Sequence, residues 1–210
     1  MVSAGGAAGG MVVGTLVYAG LGAPGFAVLA LFVVGGSLLT RLGYGRKRRT
    51  GTAEARGGRR GASNALANGG VAVGCALLSA FTPYQETFAA AFVAAVGAAF
   101  ADTAESEVGQ LYGGRPRLIT TFERVRPGTD GAVSPAGTLA GLAAAGVTSA
   151  AGWALGLVEG PGFAVQIAAA AFLGTVADSL IGALAPRIGN GLTNVLCTLL
   201  AAALAFFLVR

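Results

Sequence analysis

A chain of 210 residues that is 54% hydrophobic and only 11% charged is not an ordinary soluble domain, in which about 25% of residues carry charge. Its mean hydropathy of +0.72 suits solvation by a bilayer rather than by water. There is no His, and Lys47 is the only Lys, so a Ser/His/Asp triad, a His-ligated metal centre and a P-loop with its phosphate-side Lys are excluded.

Apolar stretches long enough to span ~30 Å of hydrocarbon follow one another along the chain. They run over 4–22, 24–40, 63–82, 86–104, 136–158, 162–185 and 191–209. This pattern predicts an all-α polytopic transmembrane bundle, a single domain over 1–210, with seven spans and a margin of one either way. Only Gly22-Ala23-Pro24-Gly25 separates the first two spans, which predicts a tight helical hairpin. The N-terminal segment has no basic n-region and is therefore not read as a cleaved signal peptide. Gly and Ala let membrane helices approach closely. A GC-rich genome biases composition the same way, so pairs such as Gly137/Gly141 and Gly152/Gly156 identify no contact by themselves.

Charge orients the predicted bundle. Arg41, Arg46, Lys47, Arg48, Arg49, Arg56, Arg59 and Arg60 lie in a basic loop over 41–62. Arg115, Arg117, Arg124 and Arg126 follow span four in a Gly/Thr/Arg-rich loop over 105–135, and Arg187 follows span six. With seven spans these loops share one side and hold 13 of the 14 basic residues. The positive-inside rule makes that side cytoplasmic, together with the N-terminus. The expected location is the inner or plasma membrane of a prokaryote. Anionic lipid headgroups are the expected partners of the basic loops. Nucleic acid is not, because no aromatics interleave with the charges. Lys47 sits inside the basic run, which argues against a buried, Schiff-base Lys. Cys75 and Cys197 lie in apolar helices and read as core packing.

An ionisable side chain within a membrane helix costs about 2.5–3.5 kcal/mol on insertion scales and usually has a functional reason. Three clusters meet that description. The first is Ala101-Asp102-Thr103-Ala104-Glu105-Ser106-Glu107-Val108-Gly109. On a helix Asp102, Glu105, Ser106 and Gly109 share one face. Three carboxylates with no Lys or His nearby repel one another, and Mg²⁺ bound with a phosphate would relieve the repulsion. The alternative is a helix end dissolving into the interface with its glutamates solvated. The second cluster is the loop from Gly113 to Thr138, which includes Arg117, Thr120, Gly128, Thr129, Asp130, Gly131, Ser134 and Gly137. Glycines admit backbone N–H groups to an anion, hydroxyls add donors, and Arg offers a planar fork for phosphate. Ser134 or Thr138 would stand at a helix N-terminus, which favours negative charge. The alternative is an ordinary capped turn. The third cluster is Asp178-Ser179 with Asn190 and Asn194, joined from the same side by Asn64 and Asn68. Asn64 and Asn190 read as interhelical glue, whereas Asp178 calls for a cation or a proton.

Two intramembrane aspartates and a phosphate-friendly loop on one face fit an enzyme that handles a lipid phosphate with Mg²⁺ and a soluble nucleotide. They fit a carboxylate-based transporter less well, since transport favours polar groups near the midplane.

Four blocks carry a family resemblance: RRGASNALANGG, FADTAESEVGQLYGGRPRLITTFERVRPGTDGAVSPAGTLAG, LGTVADSLIGAL and NVLCTLLAAAL. Over about residues 35–210 the chain resembles the integral membrane family that includes the plastid phytyl-phosphate kinase. It is more distantly similar to dolichol kinase and the CDP-diacylglycerol synthases. The resemblance implies phosphorylation of a prenyl monophosphate to its diphosphate by CTP or another nucleoside triphosphate. The clusters and the resemblance together make Asp102 and Asp178 the expected catalytic residues, and Asp102, Glu105, Glu107 and Asp178 the expected Mg²⁺ ligands. Ser106, Asn68, Arg117, Thr120, Gly128, Thr129, Asp130, Gly131, Ser134, Gly137, Thr138 and Asn194 would contact nucleotide and phosphates. Expected partners are the prenyl-phosphate lipid, the nucleotide, membrane lipids and a second copy of the chain. The alternatives are a CTP-dependent cytidylyltransferase, an ion-coupled transporter and a non-catalytic membrane protein.

Overall fold

A computed structural model describes residues 4–53 and 61–209. Arg56, Arg59, Arg60 and Arg210 lie outside the described residues. Among the latter, seven helices and one small sheet follow in order: α1 (Ala4–Arg41), α2 (Tyr44–Thr50), α3 (Ala62–Phe81), α4 (Gln85–Tyr112), β1 (Arg117–Leu118), β2 (Ala132–Val133), α5 (Pro135–Ala154), α6 (Gly160–Leu184) and α7 (Asn190–Val209).

Five of these helices, α1, α3, α4, α6 and α7, are long and apolar enough to cross a membrane. Gly22 bends the first into two arms: its φ of 63° and ψ of −156° leave helical space, and Pro24 follows. Tyr18 and Phe26, on opposite sides of the bend, bring their ring centroids to 6.2 Å, so the arms fold back on each other as the predicted hairpin. By length and hydropathy five helices qualify, the first of them two-armed, so the predicted all-α membrane bundle holds and its span count holds roughly. The predicted fifth span is α5, which ends at Ala154 and whose Gly, Thr and Ser residues make it less apolar.

The bundle is built around α4. Its apolar window is 89% buried, against 22–33% for the other four. Helices α1, α3, α5, α6 and α7 all pack on it. The reason is its run of Ala, Gly, Val and Phe over 88–101: a stretch apolar on every side suits burial on every side. Its small residues let neighbouring backbones come close, which is how helices associate in lipid. Phe92, Phe100 and Ile167 are buried among them, while many other large apolar side chains face outward, with Met11, Val34, Leu139, Val165, Leu173 and Phe207 about half to three-quarters exposed. An outer surface of large apolar side chains suits contact with hydrocarbon.

Three short elements had no counterpart in the sequence patterns. Helix α2 lies within the basic segment. Strands β1 and β2 pair antiparallel, Arg117 with Val133 and Leu118 with Ala132, and cinch the 113–134 loop. That loop also begins later than 105, because α4 stays helical through Tyr112.

Candidate functional site

At one end of the bundle the C-terminal ends of α4 and α6, the N-terminal ends of α3, α5 and α7, and the β1–β2 loop enclose a polar cavity of about 450 Å³. Residues Gly51–Ala53, just after α2, close its rim. The cavity is therefore assembled at the end of the bundle where the basic segments lie.

Helix α4 presents Asp102, Glu105, Ser106 and Gly109 to the cavity, the four residues that its spacing places on one face. Glu105 is half-buried and its Oε1 accepts a hydrogen bond of 3.2 Å from Thr175 of α6. It fits because α5 carries Gly141 opposite: a Cβ there would collide with the Glu105 carboxylate. One turn earlier Gly137 lies against the Glu105 carbonyl, 2.8 Å from where its own Cβ would stand. The Gly137/Gly141 pair thus marks a real close approach between α4 and α5.

Helix α6 contributes Asp178 and Ser179, and α7 contributes Asn190, Thr193 and Asn194. Glu105 lies within electrostatic range of Asp102 and Asp178, and Asp178 within range of Asp130. The two intramembrane aspartates therefore meet across one cavity. Asp178 Oδ1 is buried and accepts no hydrogen bond. Such an orphaned oxygen is costly and calls for an explanation.

The loop supplies Gly128, Thr129, Asp130 and Gly131, and α5 begins with Ser134, Gly137 and Thr138. Ser134 caps α5: its Oγ accepts a 3.2 Å hydrogen bond from the Gly137 N–H. Gly131, at φ 74°, is seated against α6 so tightly that a Cβ would stand 2.5 Å from the Ala183 nitrogen. Gly182 makes the matching space on the helix side. This seat fixes Asp130 beside Asp178.

Lys47 departs most from expectation. It is 1% exposed and forms an ion pair with Glu107, which is itself buried. Its Nζ also donates to the Leu39 and Thr40 carbonyls at 3.1 and 3.0 Å. All three ammonium hydrogens thus have acceptors, and α1, α2 and α4 are joined at one point. The expectation that no Lys stands near the carboxylates is corrected, as is the one that placed Lys47 away from the interior. So is the alternative of solvated glutamates, since Glu107 is buried.

Other expected residues fall elsewhere. Arg117 is exposed and does not line the cavity; its Nη1 donates to the Phe122 carbonyl at 2.8 Å, which keeps its fork on its own hairpin. Thr120 is exposed outside the cavity as well. Asn68 stands one layer behind, donating to Asn64 Oδ1 and accepting from Asn194. Among the described residues no three His, Cys, Asp or Glu side chains gather closely enough to hold a metal on their own. Asp102, Glu105, Glu107 and Asp178 therefore do not form one ligand set. Thr52, Gln110 and Thr193, which no sequence signal singled out, also line the cavity.

Fold and site together define a multi-pass integral membrane protein with a carboxylate-rich cavity at one end of its bundle. The chain belongs to the integral membrane protein DUF92 family, whose model matches residues 1–202. It is 39% identical over 200 residues to the uncharacterised membrane protein sll0875 of Synechocystis sp., covering 92% of this chain and 77% of that one. It is 35% identical over 186 residues to protein VTE6, chloroplastic, of Arabidopsis thaliana, covering 87% of this chain and 56% of that one. Identity to the uncharacterised membrane protein MJ0933 of Methanocaldococcus jannaschii is 35% over 176 residues, with 82% and 71% covered. The chain thus spans little more than half the length of VTE6. No solved structure matches it.

Proposed function

We propose that this chain is a membrane phosphotransferase that converts a prenyl monophosphate to its diphosphate, with CTP or another nucleoside triphosphate as donor and Mg²⁺ as the metal. One observation carries the reading. Acidic groups from α4, α6 and the loop line a single cavity with a glycine- and hydroxyl-rich segment and a capped helix N-terminus. The choice of acceptor draws on the family, which includes the plastid phytyl-phosphate kinase and to which the chain belongs.

The donor set suits Mg²⁺, which takes one or two carboxylates and completes its shell with phosphates and water. Asp102 and Asp178 would hold it, and the unpartnered Asp178 oxygen is the observation that fits. Bound there, it would neutralise charge on the phosphate oxygens. Among the described residues no Arg lines the cavity, and Lys47 is committed to Glu107. The Thr129 N–H is already bonded to the Arg126 carbonyl, so phosphate contact falls to the backbone N–H groups of Gly128, Asp130 and Gly131 and to the start of α5, where the helix dipole favours an anion. The Ser134 Oγ accepts from Gly137, and its hydrogen remains to donate. In the transfer an oxygen of the prenyl phosphate bonds to the γ-phosphorus as the β–γ bridge breaks, giving prenyl diphosphate and nucleoside diphosphate. The attacking oxygen is already anionic at neutral pH, so no general base is needed. Helices α4 to α7 would do the rest by positioning the two anions.

The cavity end carries Arg41, the basic residues of α2, the four Arg of the 113–134 loop and Arg187, which supports a cytoplasmic placement. The deciding test incubates purified protein with γ-labelled CTP or ATP, Mg²⁺ and a panel of prenyl monophosphates. Label should appear in a prenyl diphosphate and vanish in Asp102→Asn. Pyrophosphate release with a CDP-lipid would replace this reading with the cytidylyltransferase, and no transfer to any acceptor would remove it.

A further inference from the structure

A polar cavity gives an amphiphile's phosphate a place but leaves its hydrocarbon half without one. A second space answers that need. An apolar groove of about 230 Å³ lies between the two arms of α1 and the N-terminal half of α3. Val13, Leu29, Phe32 and Val33 supply its walls, and glycines such as Gly10 and Gly36 keep it open.

We propose that this groove receives the tail of the same molecule whose phosphate occupies the polar cavity. Asn64 lines both spaces, so the groove opens where the cavity ends. Ser37, Thr40 and Asn64 lie toward that junction, Asn68 follows one turn along α3, and Val13, Leu29 and Phe32 line the groove with apolar side chains. Thr40 is 4% exposed and its Oγ1 has no hydrogen-bond partner. A buried unpaired hydroxyl at the mouth of an apolar groove suits an amphiphile's head–tail junction, where an ester oxygen would accept its hydrogen. From Thr40 to Leu29 the groove follows α1 for about 16 Å at the helical rise. That is roughly half of the ~30 Å hydrocarbon core. The groove therefore reads the first part of a chain, and a longer tail passes on into lipid. The identity of the head group rests on the prenyl-phosphate reading; the groove itself does not.

The test uses a geranylgeranyl monophosphate carrying a diazirine within the proximal half of its tail, photolysed without nucleotide on protein in lipid nanodiscs. In the wild-type chain the label should map to peptides containing Val13, Leu29 or Gly69. Gly10→Leu should reduce it at least about 10-fold, the loss expected when as few as two methylenes find no buried place. A Cβ on Gly10 meets nothing within 4 Å, so the new side chain fills the groove rather than a neighbouring helix. Gly74, equally open and outside both spaces, provides the control Gly74→Leu, which should label as wild type. Label spread over the outer faces of α5 and α6 would overturn the assignment, as would equal labelling by the corresponding alcohol without phosphate. The wild-type map depends on neither variant nor turnover. Failure of the kinase assay with groove labelling intact removes only the reaction; transfer without groove labelling removes only the groove.

Discussion

Asp178 holds a buried carboxylate oxygen without a donor while Asp130 and Glu105 lie within electrostatic range, an arrangement that costs stability unless something binds there. Asp178→Asn removes the charge at nearly constant shape. Phosphoryl transfer should fall on the order of 100-fold or more, the scale of losing a preorganised electrostatic partner. Thermal stability in detergent should hold or rise, because a like-charge contact is relieved. A drop in both would mark Asp178 as merely structural. Lys47 is the opposite case, a charge that is fully satisfied. Lys47→Met leaves Glu107 buried without a partner and should cost about 3–5 kcal/mol, read as a lower Tm. Lys47→Met combined with Glu107→Leu should recover most of that loss, since replacing both members of a buried pair by apolar groups is often neutral.

At the scale of elements, the loop reaches the site only because α6 accepts it. Gly131 sits at φ 74°, and both it and Gly182 lack the side chains that would separate loop from helix. Gly131→Ala combines a disfavoured backbone region with a collision against the Ala183 nitrogen. Asp130 and the Gly128–Gly131 amides would move away from Asp178, and the nucleotide KM should rise roughly 10- to 100-fold for a shift of about 1 Å. The Tm should change little, because the bundle's core around α4 is untouched; circular dichroism melts and initial-rate kinetics on the same preparation check both halves.

For the whole molecule the testable quantity is sidedness. The cavity end and the opposite turns lie at the two ends of the bundle, with Ile188 at the former and Tyr84 at the latter, both exposed. Cys75 and Cys197 are buried and should not compete for a membrane-impermeant maleimide. Under the proposed orientation Ile188→Cys is labelled only from the cytoplasmic face and Tyr84→Cys only from the opposite face. Labelling of Ile188→Cys from outside would invert the topology and separate the cavity from cytoplasmic nucleotide.

Composition alone determined that the chain is an all-α membrane protein, because 11% charge cannot cover a soluble surface and uninterrupted apolar runs admit no other element in lipid. Local spacing likewise placed Asp102, Glu105, Ser106 and Gly109 on one helix face, and Gly22 with Pro24 at a bend, since both follow from backbone geometry within a turn or two. Partners distant along the chain were beyond such patterns. Lys47 meets Glu107 across 60 residues, Thr175 reaches Glu105 across 70, and Asp178 joins Asp102 only because α6 packs on α4. Arg117 looked like a phosphate ligand by type, yet β1–β2 pairing turns its fork toward Phe122. The tertiary structure decided these points because helices of Ala and Gly all look alike in sequence, and which faces meet is set by close packing among neighbours that no local period encodes.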